Sequence, residues 1–244
     1  MRTLAIFKRE MAAFFGSPLA YVVTTVFLLG LGVFFFWGVF YQDIGYPFYM
    51  RKVAAVDSVF NGSHFLFFFL IPALTMRLFA EERRSGTMEL LTTLPVRDIE
   101  IVMGKYLASV GYLAFVLVLT FVFPLYVSTL GPLDWGAVLA GYLGLLLLGL
   151  GYLAIGLFAS SLTEHQVIAF VIALAVALPF FFLHKVAFLF GIGIGNVLSF
   201  LSFREHFDAI ARGVIDTADI LYFVGVAAIF LFLAHRLIEG RKWR

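Results

Sequence analysis

The stretch Glu81-Glu82-Arg83-Arg84-Ser85-Gly86-Thr87-Met88-Glu89-Leu90-Leu91-Thr92-Thr93-Leu94-Pro95 decides how this chain is read. It is a compact polar island between two long apolar segments, in a sequence that is 63% hydrophobic. Spanning a bilayer requires no such island. Its charge density marks it as a surface that something outside the membrane can grip.

The composition around it fixes the solvent. The 244 residues are 13% charged and include 31 Phe, with a mean hydropathy of +1.03. Soluble domains run at about 45–50% apolar and about 25% charged, so this chain has too little charge to cover a water-facing surface. Lipid is its solvent. The absence of cysteine excludes disulfides, thiolate metal sites and cysteine nucleophiles. A net charge of +2 is too small for a nucleic-acid footprint.

A transmembrane helix needs about 20 mainly apolar residues. Six segments qualify: 19–41, 62–80, 106–130, 135–162, 167–190 and 220–238. The first is longer than the ~7–15 residues of a signal-peptide core and lacks a small-residue cleavage site, so it reads as a retained span. Gly131-Pro132-Leu133-Asp134 and Thr163-Glu164-His165-Gln166 are short links that make antiparallel hairpins of spans three to five. With both termini cytosolic, twelve of the 17 Lys and Arg fall on the inner side. Only Arg51, Lys52, Lys185, Arg204 and Arg212 fall outside. That bias sets the orientation and places the island in the cytosol.

Three segments do not span. Residues 1–16 carry Leu4, Phe7, Met11, Phe14 and Phe15 at helical spacing with Lys8 and Arg9 opposite, which predicts an amphipathic interfacial helix; a charged lead into the first span is the alternative. Residues 196–219 place Phe203, Phe207, Ile210 and Val214 at three- and four-residue intervals, with an Arg204, Asp208, Arg212 ladder on another face. This predicts an outer-leaflet amphipathic helix rather than a solvated loop. The third segment is the island, within 81–104. Arg77 ends the second span and is expected to snorkel toward headgroups. Ser85-Gly86 permits a turn, Thr87 to Leu94 can form two helical turns with Leu90, Leu91 and Leu94 on one side, and Pro95 stops them. Asp98 is expected to cap the next helix, which passes through Gly104-Lys105 into span three. Leucines exposed on such a helix require either a partner or a seat against the chain's own helix ends. The residues alone leave both open.

The island followed by Gly104-Lys105 resembles the segment after the second span in ABC type 2 permeases, the six-span membrane subunits of ATP-driven exporters. Phe7-Lys8-Arg9-Glu10, Ser17-Pro18-Leu19-Ala20-Tyr21, residues 69–77 and residues 212–219 resemble more narrowly the GldF-like, gliding-motility branch. The likeness covers essentially the whole chain. It implies a single transmembrane permease domain over 1–244 in a bacterial inner membrane. It further implies that 81–104 contains a coupling helix seated in a separate P-loop ATPase, with Glu81, Glu82, Arg83, Gly86, Thr87, Glu89, Leu90, Leu91 and Pro95 transmitting ATP-driven closure. The N-terminal helix would be a connecting helix. Phe203, Phe207, Arg212 and Asp216 would belong to an outer element that gates exit. The resemblance also implies a second permease copy or related membrane subunit, with ATP and Mg bound by the ATPase partner.

Other chemistry is not written in the chain. There is no Walker A loop, so ATP chemistry has to come from another chain. The five histidines are scattered without metal-ligand spacing, and no acidic residue lies mid-span, as a proton-coupled carrier would require. Asn61-Gly62-Ser63 is an isolated sequon match. Gly136, Ala140 and Gly144, and again Gly156 and Ser160, recur every fourth residue, spacing that lets helices approach closely and here points to packing against neighbouring spans. The expected protein is thus a non-enzymatic permease subunit that binds no cofactor or nucleic acid. A non-transporting subunit acting on extracytoplasmic partners is the main alternative, and an intramembrane lipid-modifying enzyme would need a polar cluster that the sequence lacks.

Overall fold

The computed structural model describes residues 2–37, 56–87, 97–187 and 189–240. Eleven helices run through them: α1 Arg2–Phe15, α2 Pro18–Trp37, α3 Asp57–Thr75, α4 Arg77–Arg84, α5 Asp98–Thr120, α6 Val122–Ser128, α7 Trp135–Leu162, α8 Gln166–Ala187, α9 Ile192–Phe200, α10 Phe203–Ala211 and α11 Thr217–Glu239. No strand occurs among the described residues. Six helical stretches are long and apolar enough to cross a membrane: Pro18–Trp37, Asp57–Arg84, Asp98–Ser128, Trp135–Leu162, Gln166–Ala187 and Thr217–Glu239.

The second and third stretches are longer than their apolar runs because polar turns continue each helix at its charged end. Both are also interrupted. The second breaks at Met76, between α3 and α4. The third breaks at Phe121, where Pro124 has no amide for the Thr120 carbonyl. The Thr120 hydroxyl there donates to the Leu117 carbonyl (2.7 Å) and lies 3.0 Å from the Tyr142 hydroxyl, which can donate to it.

The bundle is organised around α7, which packs on α3, α4, α5, α8, α10 and α11. Its glycines explain why. A Cβ on Gly149 would lie 2.1 Å from Leu113 of α5, and one on Gly156 would lie 1.9 Å from the Thr75 hydroxyl of α3. Neighbours therefore press directly on the α7 backbone, the close approach that drives helix association where lipid supplies no hydrophobic drive. Gly144 is filled in the same way by Ile210 and Phe207 of α10. The helix starts at Asp134, whose carboxylate accepts the Gly136 and Ala137 amides at 2.9 and 3.3 Å. By contrast α2 and α8 lie at the periphery, with Leu29, Val167 and Val171 exposed.

Two expectations are corrected. Asp98 does not cap α5. The cap position is Arg97, whose amide donates to Glu100 Oε2 at 2.9 Å, closing the helix start from inside its first turn. The segment over 196–219 does not form one helix: the end of α9 and then α10 share it. They are separated at Leu201-Ser202, where the Ser202 hydroxyl accepts the Arg204 amide at 3.2 Å and restarts the chain as α10. Val214 lies beyond α10 and is exposed.

Candidate coupling site at the charged end

α1 lies along the first half of α5 because α5 carries a gap for it. Gly104 has no side chain, and a Cβ there would sit 2.6 Å from Ile6 Cγ2. Phe7 and Met11 cover Gly111 in the same manner. Phe14 is buried and stacks on Tyr112 at 5.0 Å. The buried stripe of α1 is thus Ile6, Phe7, Glu10, Met11 and Phe14, while Leu4 is exposed.

The stripe contains a carboxylate, and its partners define the site. Glu10 Oε1 lies 3.1 Å from Lys105 Nζ of α5 and 2.6 Å from Arg9 Nη2. Lys105 Nζ is also 2.9 Å from Glu82 Oε1 of α4, and Arg9 reaches the same oxygen at 3.0 Å. Two carboxylates and two cations close into a ring that joins α1, α4 and α5. Only 2% of the Lys105 side chain is exposed, against 50% for Arg9. Screening therefore leaves the Arg9 contacts weak and the Lys105 contacts strong. Burial pushes the Glu10 carboxyl up, but Lys105 and Arg9 outweigh it and hold the group below its usual range. The Lys105 ammonium also stands 5.3 Å over the Phe79 ring.

Arg77 does not snorkel outward. Its guanidinium donates to the Ser17 hydroxyl and lies 5.6 Å over Phe14, tying the start of α4 to the α1–α2 turn. A cleft of about 580 Å³ opens here, lined in part by Arg9, Ser17, Arg77, Glu81, Thr87 and Lys105.

Gly86 turns the chain just past α4. Its φ of 70° lies in the left-handed region open to glycine. The preceding Ser85 hydroxyl donates to the Glu81 carbonyl at 2.9 Å. Thr87 continues this end by bonding the Glu82 carbonyl (3.3 Å) and the Ser85 hydroxyl (2.9 Å). Of the residues expected to couple, Glu82 stands in the ionic ring, Glu81 is exposed beside it and Arg83 is half-buried. Glu89, Leu90, Leu91 and Pro95, with the two-turn helix expected over 87–94, lie outside the described residues beyond Thr87.

At the opposite end of the bundle, Phe203, Phe207 and Ile210 are fully buried beneath α10, packed toward α7. Arg204 pairs with Asp208 at 2.7 Å, and Arg212 donates to the Asp208 carbonyl at 3.1 Å rather than to its carboxylate. Asp216 caps α11 by accepting the Ala218 amide at 3.0 Å. The strongest contact here had no part in the expected site. His206 has Nδ1 2.6 Å from Asp219 and Nε2 2.8 Å from the Phe200 carbonyl, and its ring stacks 3.9 Å from Tyr222. It pins α9 and α10 to α11.

Sequence reading also missed the pairing of Lys105 with Glu10, although Gly104-Lys105 was visible as a motif. A small residue followed by a lone cation about two turns inside an apolar helix is a usable signal for a docked helix bearing a carboxylate. Among the described residues no three His, Cys, Asp or Glu come together to hold a metal.

Residues 42–235 match the family model described as ABC-2 family transporter protein. No curated protein matches the chain.

Proposed function

Because the chain belongs to the ABC-2 transporter family, we propose that it is the membrane-spanning permease subunit of an ATP-driven exporter. It works on a separate P-loop ATPase that binds ATP and Mg, in a bacterial inner membrane and paired with a second permease subunit. The GldF-like resemblance supports the branch. Both termini and the island face the cytosol in this reading, α1 lies at the inner leaflet, and the island docks on the ATPase.

One observation carries the reading. The Glu82–Lys105–Glu10 ring welds the end of the second span, the start of the third and the N-terminal helix into one block at the root of the island. A force applied to a loop held at both ends by independent flexible helices would dissipate in local bending. Here the two roots share buried charges, so displacement of the island moves α4, α5 and α1 together. A mere interruption between spans needs no such anchorage.

Co-purification with a P-loop ATPase encoded beside the chain tests this. The wild type is expected to retain the ATPase in detergent. Glu82→Ala, which removes the anchor, and Gly86→Pro, which forbids the left-handed turn, are each expected to weaken retention by about tenfold, or about 1.4 kcal/mol. Retention unchanged in both variants contradicts the assignment.

A further inference from the structure

The break in the second span is filled by a side chain from another helix. In an unbroken helix the amides of Phe79 and Ala80 would donate to the carbonyls of Thr75 and Met76. Instead they lie 2.9 and 3.1 Å from the Ser160 hydroxyl of α7. That hydroxyl in turn donates to the Met76 carbonyl at 2.8 Å. Its single proton and both lone pairs are used, and Ser160 is fully buried. A side chain inserted into the helical ladder is one of the few physical causes of a kink. Gly156, one turn earlier on α7, brings the helices close enough for the hydroxyl to reach, since the Thr75 hydroxyl occupies the space of its missing side chain.

We propose that Ser160 is a withdrawable pin that holds the second span in one of two states. Inserted, it bends the span at Met76 and ties α4 to α7. Withdrawn, it leaves the Phe79 and Ala80 amides free to take the Thr75 and Met76 carbonyls, closing the ladder. The hydroxyl then turns back to the Gly156 carbonyl on its own helix, a bond serine makes readily four residues on. The Phe79 and Ala80 amides and the Ser160 hydroxyl proton have an acceptor in both states, so none of the three carries the penalty of an orphaned donor. That is the condition for two packings of similar free energy. α4 carries Glu82 and the root of the island, so the pin sets the direction in which the charged end points. Its use as a relay for ATP-driven motion rests on the permease reading above; the break itself does not.

The chain has no cysteine, so spin labels can be placed cleanly at Arg84→Cys, on the end of α4, and at Glu164→Cys, just past α7. Distances are read by pulsed electron paramagnetic resonance on the full chain in lipid nanodiscs, without ATPase. A 20° change at the root of α4, about the threshold for a sharp kink, moves the tip of its ~12 Å length by about 4 Å. Ser160→Ala is expected to shift the mean distance by about that amount. Gly156→Ala, which pushes Thr75 away and draws Ser160 out of reach, is expected to give the same shifted distance. Ser160→Thr keeps the hydroxyl and is expected to retain the parent distance. A Ser160→Ala distance that coincides with the parent overturns the proposal, as does a Ser160→Thr shift equal to that of Ser160→Ala. Failure of the ATPase to bind would leave these distances standing, so the two readings fail separately.

Discussion

Lys105 Nζ lies 2.9 Å from Glu82 Oε1, and only 2% of the lysine side chain is exposed. This contact ties the third span to the end of the second without passing through the chain that joins them. The same ammonium holds Glu10 of α1, so α1 is joined to both roots. The chemical character of the contact sets its consequences.

Removing one partner of a buried charge pair leaves the other uncompensated, at a cost of about 3–5 kcal/mol. Lys105→Met leaves Glu10 and Glu82 with only the half-exposed Arg9 and is expected to destabilise the chain by about that amount in thermal or denaturant unfolding. Neutralising the whole cluster, as Lys105→Met with Glu10→Gln and Glu82→Gln, is expected to restore most of the loss. Arg9→Ala is expected to cost under about 1 kcal/mol, since half of its side chain is in solvent.

Gly104 is the seat of α1. Gly104→Val places atoms where Ile6 now sits, 2.6 Å from the position of the new Cβ. Overpacking of this kind costs about 1–3 kcal/mol, and the strain is relieved by releasing α1. Trypsin cleavage after Lys8 and Arg9 is expected to accelerate severalfold in Gly104→Val, while cleavage after the exposed Arg212 stays level.

Acid is expected to release the same helix, and neutral pH changes are not. Glu10 is held below the usual glutamate range in the folded chain. Its contribution is therefore complete above about pH 4.3, the ordinary glutamate value, and is lost as pH falls through the lower folded value. A fluorophore on Leu4→Cys, at an exposed position, is expected to report constant α1 mobility from pH 8 to pH 5 and a rise only under stronger acid. A transition between pH 6 and pH 7 would contradict the assignment of Glu10 as the controlling group.

At the α10 end of the bundle, stability and surface charge separate cleanly. Phe203→Ala empties a fully buried site against Tyr152 and Phe180 and is expected to cost about 3–5 kcal/mol. Arg212→Ala, exposed and bonded to one carbonyl, is expected to stay within about 0.5 kcal/mol of the parent. Thermal unfolding of both variants checks this.

The six spans were legible because length and apolarity alone mark them, and Asp134 was placed correctly as the link before α7. What was not legible depends on partners far apart in sequence. Lys105 reads as one more inner-side cation until α1 arrives from 95 residues away to offer Glu10. Ser160 reads as a small residue in a packing stripe, since its partners are backbone groups of another helix and no side-chain pattern announces them. Arg77 follows the rule for long cations at span ends only until Ser17 is within reach. The split of the outer helix was recoverable in principle: Ser202 followed by Glu205 is the spacing of a helix start, and the apolar periodicity running through it concealed the signal.

In the proposed permease the charged root carries an ATPase's motion into the spans. The most direct measurement is the ATP turnover of the partner ATPase, alone and reconstituted with this chain in vesicles, for wild type and Lys105→Met with Glu10→Gln and Glu82→Gln. Wild type is expected to change turnover severalfold, and the neutralised chain, still folded and inserted, to leave it at the level of the ATPase alone. Equal turnover changes with both chains would contradict transmission through the root.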